Sequence, residues 1–141
     1  MDYNGLYNLS KRTVIQHEAN EQESLFNWVE WAVKQYPELK LLYHIPNGGS
    51  RNPKEAANLK RQGVKPGVPD LHLPVARSGY HGLYIEMKYG DNKPTDKQKQ
   101  WLKDLKEQGY KTAVCYTWGE AAELLTKYLK GAIRNENQKH N

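Results

Sequence analysis

Three side chains near the middle of the chain have the types and spacing expected of a site that hydrolyses phosphodiester bonds. Asp70 begins a short apolar segment, and Glu86 and Lys88 lie two residues apart within the segment Gly82–Tyr89. Side chains alternate between the two faces of a strand, so Glu86 and Lys88 share one face. A strand packed between helices is normally apolar on both faces, and burying an unpaired charge is costly. The pattern therefore predicts a polar site built into a sheet.

Asp70 and Glu86 are expected to converge, because they lie on consecutive strands that we expect to be neighbours. Two adjacent carboxylates repel each other, and a divalent cation removes that conflict. Mg²⁺ is commonly held by one or two carboxylates together with waters and phosphate oxygens. Such a cation polarises a phosphodiester and lowers the pKa of a bound water, while Lys88 orients the water or stabilises developing negative charge. The alternative is that Glu86 and Lys88 form an ordinary ion pair on the surface of the sheet. The presence of Asp70 on the adjoining strand of a basic chain disfavours this alternative.

Two predicted helices bring further polar side chains toward this site. Gln98 is in register with Leu102 and Leu105, so it is expected to face the sheet, where it needs a polar partner. On the first helix, Glu18 and Glu21 are both in register with apolar positions. Either of them would supply a third carboxylate, and the spacing alone does not separate them.

Helix and strand signals alternate along the chain in the order α-β-α-β-β-α-β-α. We expect helices over residues 20–36, 53–62, 95–108 and 119–130, and strands over residues 41–45, 70–74, 82–89 and 112–116. Thr95 is the expected N-cap of the third helix and Gly109 its C-terminal stop. That helix makes the connection between the third and fourth strands a parallel crossover, whereas Arg77–Gly79 joins the second and third strands as a hairpin-like pair. The predicted fold class is α/β, a mixed sheet of about four strands flanked by helices.

Composition restricts the class of protein. A chain of 141 residues is expected to form one domain. We divide it into a flexible N-terminal arm over 1–17, a domain over 18–131 and a polar tail over 132–141. The single cysteine excludes a disulfide framework and a multi-thiolate zinc site. Without an apolar run of membrane-spanning length or a recognisable signal peptide, we expect a cytoplasmic protein with no membrane partner.

The positive charge favours a nucleic-acid partner. The formal net charge is +5, and residues 51–65 concentrate basic side chains after a glycine-containing loop. Contacts of such residues with phosphates do not depend on base sequence and weaken with salt, although a solvated helix face is the alternative. The candidate nucleic-acid-binding residues are Asn47, Gly48, Gly49, Ser50, Arg51, Lys54, Lys60, Arg61, Lys65 and Lys93.

Five segments in this order resemble the VRR-NUC (virus-type replication–repair nuclease) domain of the PD-(D/E)XK nucleases. The resemblance extends over about residues 18–130. The segments are Glu21-Gln22 with Leu25-Phe26-x-Trp28, then Ile45-Pro46-Asn47-Gly48-Gly49-x-Arg51, Lys65-Pro66-Gly67-Val68-Pro69-Asp70-Leu71, Gly82-Leu83-Tyr84-Ile85-Glu86-Met87-Lys88, and Asn92-Lys93-Pro94-Thr95-x-x-Gln98-x-x-Trp101-Leu102.

The resemblance implies a restriction-endonuclease-like fold and endonucleolytic cleavage of DNA that depends on Mg²⁺ or Mn²⁺. Its Glu-Gln match favours Glu21 over Glu18 as the helix carboxylate. The site residues that it implies are the metal ligands Asp70 and Glu86, the backbone carbonyl of Met87 as a further ligand, the catalytic lysine Lys88, the supporting residue Gln98, and Glu21.

Short stand-alone members from phages and bacteria resemble Holliday-junction resolvases that act as homodimers. We therefore expect a homodimer that acts on branched DNA in DNA repair. The alternatives are a flap or nicking nuclease, a non-catalytic nucleic-acid-binding module on the same fold, and a small-molecule phosphoesterase. The last is disfavoured because the basic surface extends well beyond a small pocket.

Overall fold

The predicted order of helices and strands is confirmed, with one additional 3₁₀ helix. The structure is a computed structural model that describes residues 20–46 and 52–135. The whole of the predicted arm and most of the predicted tail therefore lie outside the described residues. The elements are α1 (residues 20–32), the 3₁₀ helix Pro37–Leu41, β1 (Tyr43–His44), α2 (Pro53–Arg61), β2 (Leu71–Leu73), β3 (Leu83–Met87), α3 (Asp96–Glu107), β4 (Lys111–Cys115) and α4 (Trp118–Leu129).

The 3₁₀ helix is the main departure from the predicted elements. The sequence predicts a first helix that continues to Tyr36 and a first strand that begins at Leu41, but α1 ends at residue 32 and Leu41 belongs to the 3₁₀ helix. Pro37 explains the difference, because proline disfavours helical backbone in the residue before it and suits the first turn of a new helix. Leu39 is 1% exposed, so the 3₁₀ helix contributes this side chain to the core.

The sheet has the order β1-β2-β3-β4. β1 pairs antiparallel with β2 and β2 antiparallel with β3, while β3 and β4 are parallel. The mixed four-stranded sheet and the parallel crossover are thus confirmed. Because β2 runs against β3 and β4, the start of β2 and the ends of β3 and β4 meet at one edge of the sheet.

The core depends on α1, α4 and one face of the sheet, whereas α2 and α3 contain no buried residue. Each fully buried Leu or Ile side chain contributes about 1.5–3 kcal/mol relative to exposure. Tyr128 is also buried, and its hydroxyl donates a 2.6 Å hydrogen bond to the carbonyl of Val75. The hydrophobic core side chains exposed by 1% or less are Leu25, Leu39, Leu71, Leu73, Leu83, Ile85, Ala121, Leu125 and Tyr128. No helix among the described residues is long and apolar enough to cross a membrane.

We predict that Gly67→Ala destabilises the fold by about 1–2 kcal/mol more than Gly63→Ala. Both glycines have positive φ, +88° for Gly67 and +99° for Gly63, so an alanine strains the backbone at either position. A Cβ on Gly67 would lie 3.0 Å from backbone and side-chain atoms of Lys97 in α3, whereas nothing lies within 4 Å of a Cβ on Gly63 among the described residues. Urea denaturation of the two variants measures the difference, and equal losses of stability would contradict close packing of this loop on α3.

Candidate active site

Asp70 is held by hydrogen bonds from two neighbouring strands. Its backbone carbonyl accepts a 2.7 Å hydrogen bond from the amide of Ile45 and lies 3.0 Å from Nδ1 of His44. Its side-chain Oδ2 accepts a 2.8 Å hydrogen bond from the amide of Met87. Asp70 directly precedes β2, where the backbone hydrogen bonds between β2 and β3 end. Its carboxylate, instead of a backbone carbonyl, accepts the hydrogen bond from the amide of Met87. The position of this carboxylate is therefore tied to the end of β3.

The loop before Asp70 is fastened to α3. Trp101 Nε1 donates a 3.1 Å hydrogen bond to the carbonyl of Pro66, and Gly67 lies against the backbone of Lys97. Because α3 follows the site strand β3 in the chain, this contact connects the two segments that carry Asp70 and Glu86. Trp101 is thus a positioning residue that the sequence reasoning placed in the motif without assigning it a role.

Glu86 lies opposite Asp70. It is 2% exposed, and it is the one charged residue that is buried among residues 20–46 and 52–135. The registers Leu71↔Ile85 and His72↔Tyr84 continue by one position to bring Asp70 beside Glu86, as predicted. Oε1 of Glu86 lies 3.8 Å from Nζ of Lys88. Its other oxygen, Oε2, is buried without a hydrogen-bond partner among the described residues. Such an atom is unusual in a native structure and indicates a missing partner.

Burial raises the pKa of Glu86 to about 8, and the neighbouring Asp70 carboxylate contributes to this rise against the opposing effect of Lys88. Both causes penalise the ionised form of the carboxyl. A cation placed between the two carboxylates would remove the repulsion and supply a partner for Oε2. The electrostatics of the pair therefore favour a positively charged ligand.

The backbone carbonyl of Met87 is directed toward the same side of β3 as Asp70. The amide of Lys88 donates to the carbonyl of Cys115 in β4, whereas the amide of Met87 donates to Asp70. Successive residues of a strand direct their backbone groups to opposite sides, and the N–H and C=O groups of one residue share a side. Strand geometry therefore leaves the carbonyl of Met87 on the side of the two carboxylates, and its role as a further ligand stays a prediction.

These oxygens fit a hard divalent cation. Mg²⁺ binds oxygen ligands and usually keeps several waters or phosphate oxygens in its shell. Within residues 20–46 and 52–135, no group of three or more His, Cys, Asp and Glu side chains is arranged to hold a metal ion. A cation between Asp70 and Glu86 would therefore complete its shell with solvent and substrate, which is the arrangement Mg²⁺ prefers.

Glu21 connects two helices in this structure. Its Oε2 accepts a 2.7 Å hydrogen bond from the amide of Trp118, the first residue of α4. A carboxylate at this position is favourable, because the first amides of a helix lack intrahelical partners and carry partial positive charge. The role of Glu21 as a site carboxylate stays a prediction, and Glu18 lies outside the described residues.

Gln98 has a different polar partner from the one expected. Its Oε1 accepts a 2.8 Å hydrogen bond from the amide of Thr95, and its own amide donates to Oγ1 of Thr95 at 3.2 Å. This reciprocal pair is a capping box at the start of α3. The predicted N-cap is confirmed, and the sequence Thr95-x-x-Gln98 carried the signal for the capping box. The supporting role of Gln98 in catalysis stays a prediction.

The candidate nucleic-acid-binding residues fall into two groups. The loop Asn47–Arg51 lies outside the described residues, so Asn47, Gly48, Gly49, Ser50 and Arg51 stay predictions. Asn52 caps α2 through its side chain, and α2 stands exposed beyond that loop. The exposed basic side chains of the second group are Lys54, Lys60, Arg61, Lys65 and Lys93.

An aromatic cluster adjoins the two carboxylates on the same face of the sheet. The rings of His72 and Tyr84 stack with centroids 4.1 Å apart and an interplanar angle of 3°. The hydroxyl of Tyr43 lies 2.8 Å from Nδ1 of His72, and Tyr110 packs edge-on against Tyr84. Burial lowers the pKa of His72, which favours its neutral ring. The alternation of side chains along β2 puts His72 on the face of Asp70. The cluster itself was not predicted, because the strand register that assembles it is not visible in the sequence.

The sequence profile of the VRR-NUC domain matches residues 9–118. The chain belongs to the VRR-NUC family. The resemblance drawn from the motif segments is thereby confirmed, and the match begins inside the predicted arm of residues 1–17. VRR-NUC domains are nuclease domains, which makes DNA the expected substrate.

One solved structure supports the fold of this VRR-NUC chain directly. It is that of a VRR_NUC domain protein, which superposes with a TM-score of 0.65 at 33% sequence identity, over 78% of this chain and 88% of that one. The restriction-endonuclease-like α/β fold is thus confirmed. No curated protein matches the chain at a significant level.

We predict that Glu86→Gln stabilises the metal-free protein at alkaline pH. The pKa of Glu86 is raised from 4.5 to about 8, so between these values the folded state retains a proton that the unfolded state releases. The wild-type protein therefore loses stability as the pH rises through this window, whereas the neutral glutamine does not. With a chelator present, the stabilising effect of the substitution should be larger at pH 8.5 than at pH 5, by about 1 kcal/mol or more.

Urea denaturation at the two pH values measures this effect. Glu23→Gln is the matched control, because Glu23 is exposed on α1 and its substitution should give no comparable dependence on pH. A stabilising effect of Glu86→Gln that stays constant or shrinks at pH 8.5 would show that the Glu86 carboxyl is not destabilised by its surroundings.

Proposed function

We propose that this VRR-NUC protein is an endodeoxyribonuclease that depends on Mg²⁺ or Mn²⁺ and cuts four-way DNA junctions as a homodimer. One observation carries the nuclease part of the proposal: Asp70 and Glu86 meet beside Lys88, and a buried oxygen of Glu86 has no partner among the described residues. A protein that only binds nucleic acid would not need to bury Glu86 beside a second carboxylate. The free-energy penalty of this arrangement is offset where a cation binds to the carboxylates and a phosphate binds to the cation.

Asp70, Glu86 and the backbone carbonyl of Met87 are the proposed metal ligands. When bound, the cation supplies Lewis acidity to the scissile phosphate and lowers the pKa of a coordinated water. The hydrogen bond from the amide of Met87 holds Asp70 in one orientation, so little reorganisation is needed when a phosphate arrives. Preorganisation of this kind is a main source of electrostatic catalysis.

Lys88 is the proposed catalytic lysine. Its side chain is 16% exposed, and its ammonium lies at the mouth of the site, 3.8 Å from Glu86. From that position it can contact a phosphate oxygen or the attacking water as well as Glu86. We assign it the orientation of the water and the stabilisation of negative charge that develops on the phosphate.

Gln98 and Glu21 are proposed to support the site from the neighbouring helices. Gln98 fixes the start of α3 through Thr95, and α3 holds the loop before Asp70. Glu21 fixes the start of α4, directly after the end of β4. Both residues therefore act on the edge of the sheet where Asp70 and Glu86 lie.

The basic segment that follows β1 in the sequence supports DNA as the substrate. The loop Asn47–Arg51 follows Ile45, whose amide binds the backbone of Asp70, and leads into the exposed basic helix α2. Phosphate contacts from this segment would hold the backbone on either side of the scissile bond. Symmetric cutting of a four-way junction requires two such sites related by a two-fold axis, which a homodimer provides.

We predict that Asp70→Asn and Glu86→Gln each abolish cleavage while DNA binding and folding are retained. Lys88→Ala should lower the turnover number by about 10²-fold or more with little change in metal affinity, because it removes charge stabilisation but no ligand. Glu23→Gln is the control and should cleave like the wild type. Single-turnover assays at saturating DNA separate these effects, and wild-type rates in both carboxylate variants would refute the assignment of the site.

The substrate is tested by comparing an immobile four-way junction with a matching linear duplex and a flap, each with Mg²⁺, Mn²⁺ or EDTA. We expect paired symmetric cuts in the junction alone, abolished by EDTA. Cuts confined to the flap or the duplex would refute junction selectivity but keep the nuclease. Junction binding without any metal-dependent cut would refute the nuclease and favour a binding module.

A further inference from the structure

A second polar site lies at the opposite end of the sheet from the carboxylate pair. A cavity of about 290 Å³ opens between the C-terminal end of α3, the start of β4 and the chain that follows α4. Its position is set by the parallel β3–β4 pairing, in which Lys111 at the start of β4 lies beside Leu83 at the start of β3. The residues of its wall that matter here are Lys106, Lys111, Arg134, Tyr110 and Thr112.

The charged side chains of this cavity are positive. Lys106 comes from α3, Lys111 from β4 and Arg134 from the segment after α4, and no acidic side chain of residues 20–46 or 52–135 lines the wall. Cations from three separate elements repel one another unless an anion is shared between them, and a concave arrangement focuses their field. Tyr110 and Thr112 contribute further to the wall of the cavity. This combination is suited to a phosphate group.

The backbone beside the cavity is hydrogen-bonded to neighbouring segments of the chain. The amide of Lys111 donates to the carbonyl of Gly82 at 2.9 Å, and the amide of His81 donates to the carbonyl of Gly109 at the same distance. Gly109 also lies against the ring of His81, where a Cβ would come within 2.5 Å of that ring. A preformed cavity loses little conformational freedom when it takes a ligand, which favours binding.

The cavity is too far from the carboxylate pair to hold the same phosphate. Glu86 lies three positions along β3 from the register partner of Lys111, which corresponds to about 10 Å along the strand and about 5 Å across to β4. Lys111 also pairs with Leu83, whose side chain faces the core, so the Lys111 side chain lies on the sheet face opposite that of Glu86. One phosphate group therefore cannot reach both sites.

We propose that the Lys106–Lys111–Arg134 cavity binds a backbone phosphate of the same DNA molecule other than the scissile phosphate. The proposal rests on the nuclease function proposed above and deepens it, because a second fixed phosphate contact sets the direction in which DNA leaves the site. The cavity is proposed to recognise a phosphate group. The experiment distinguishes a phosphate of DNA from free inorganic phosphate.

The test compares two triple variants of equal net charge in the Glu86→Gln background, where DNA is bound without being cut. One carries Lys106→Gln, Lys111→Gln and Arg134→Gln; the control carries Lys34→Gln, Lys40→Gln and Lys127→Gln, three lysines that do not line the cavity. The dissociation constant for junction DNA is measured over a range of salt concentrations. Thermal denaturation checks that both variants fold.

We expect the cavity variant to reduce the slope of log affinity against log salt by about one for each phosphate interaction that is removed, and the control to leave the slope unchanged. Equal slopes in the two variants would overturn the proposal. So would an NMR titration in which inorganic phosphate shifts the Lys111 and Thr112 amides while the DNA slopes stay equal, because the site would then take free phosphate only.

The failure of this site and that of the nuclease are distinguishable. Equal slopes together with metal-dependent cleavage by the wild-type protein would refute the phosphate site in the cavity and leave the nuclease in place. A slope difference without cleavage by the wild-type protein would retain the phosphate site and refute the proposed chemistry.

Discussion

The burial of Glu86 opposite the half-buried carboxylate of Asp70, at the end of a sheet, is the constraint on which the rest of the structure depends. Asp70 and Glu86 are brought together by the antiparallel pairing of β2 with β3, and the amide of Met87 fixes the orientation of Asp70. A fold optimised for stability alone would place apolar side chains there, because an unpartnered buried carboxylate oxygen is destabilising. The unfavourable arrangement is maintained by a core that lies on the other side of β3.

The elements around this pair act as its supports. β1 holds the backbone of Asp70, α3 holds the loop that leads to it, and Glu21 of α1 connects to the start of α4 beside the end of β4. Each contact is a single hydrogen bond of modest net energy. Together they restrict the edge of the sheet from three directions. α3 contains no buried residue. Its contribution is to hold the loop before Asp70 through the hydrogen bond of Trp101.

Much of this fold was predictable because its signals are local. The alternation of Leu83, Ile85 and Met87 with Glu86 placed the acidic residue on the face opposite the core, and Thr95 marked the start of α3. The 3₁₀ helix was missed because Leu41 and Leu42 fit the start of a strand over residues 41–45 equally well until Pro37 is recognised as the start of a new turn. The partner of Gln98 was missed because helical register indicates a face but not which group the amide reaches.

The interactions that could not be predicted depend on strand register. The stacking of His72 on Tyr84 and the hydrogen bond between Tyr43 and His72 join residues that are far apart in the chain and meet only after three strands pair. The cationic cavity depends likewise on the parallel register of β3 and β4. Residue types alone identify neither feature, because tyrosines and lysines are numerous in this chain and most lysines on any protein surface are simply solvated.

The most direct test of the account is the binding of Mn²⁺ in the absence of DNA, measured by titration calorimetry for the wild type, Asp70→Asn, Glu86→Gln and the exposed-site control Glu23→Gln. The account predicts one Mn²⁺ site per chain in the wild type and the control, and its loss in both carboxylate variants. Equal Mn²⁺ affinity in all four proteins would contradict the claim that the facing carboxylates form the metal site.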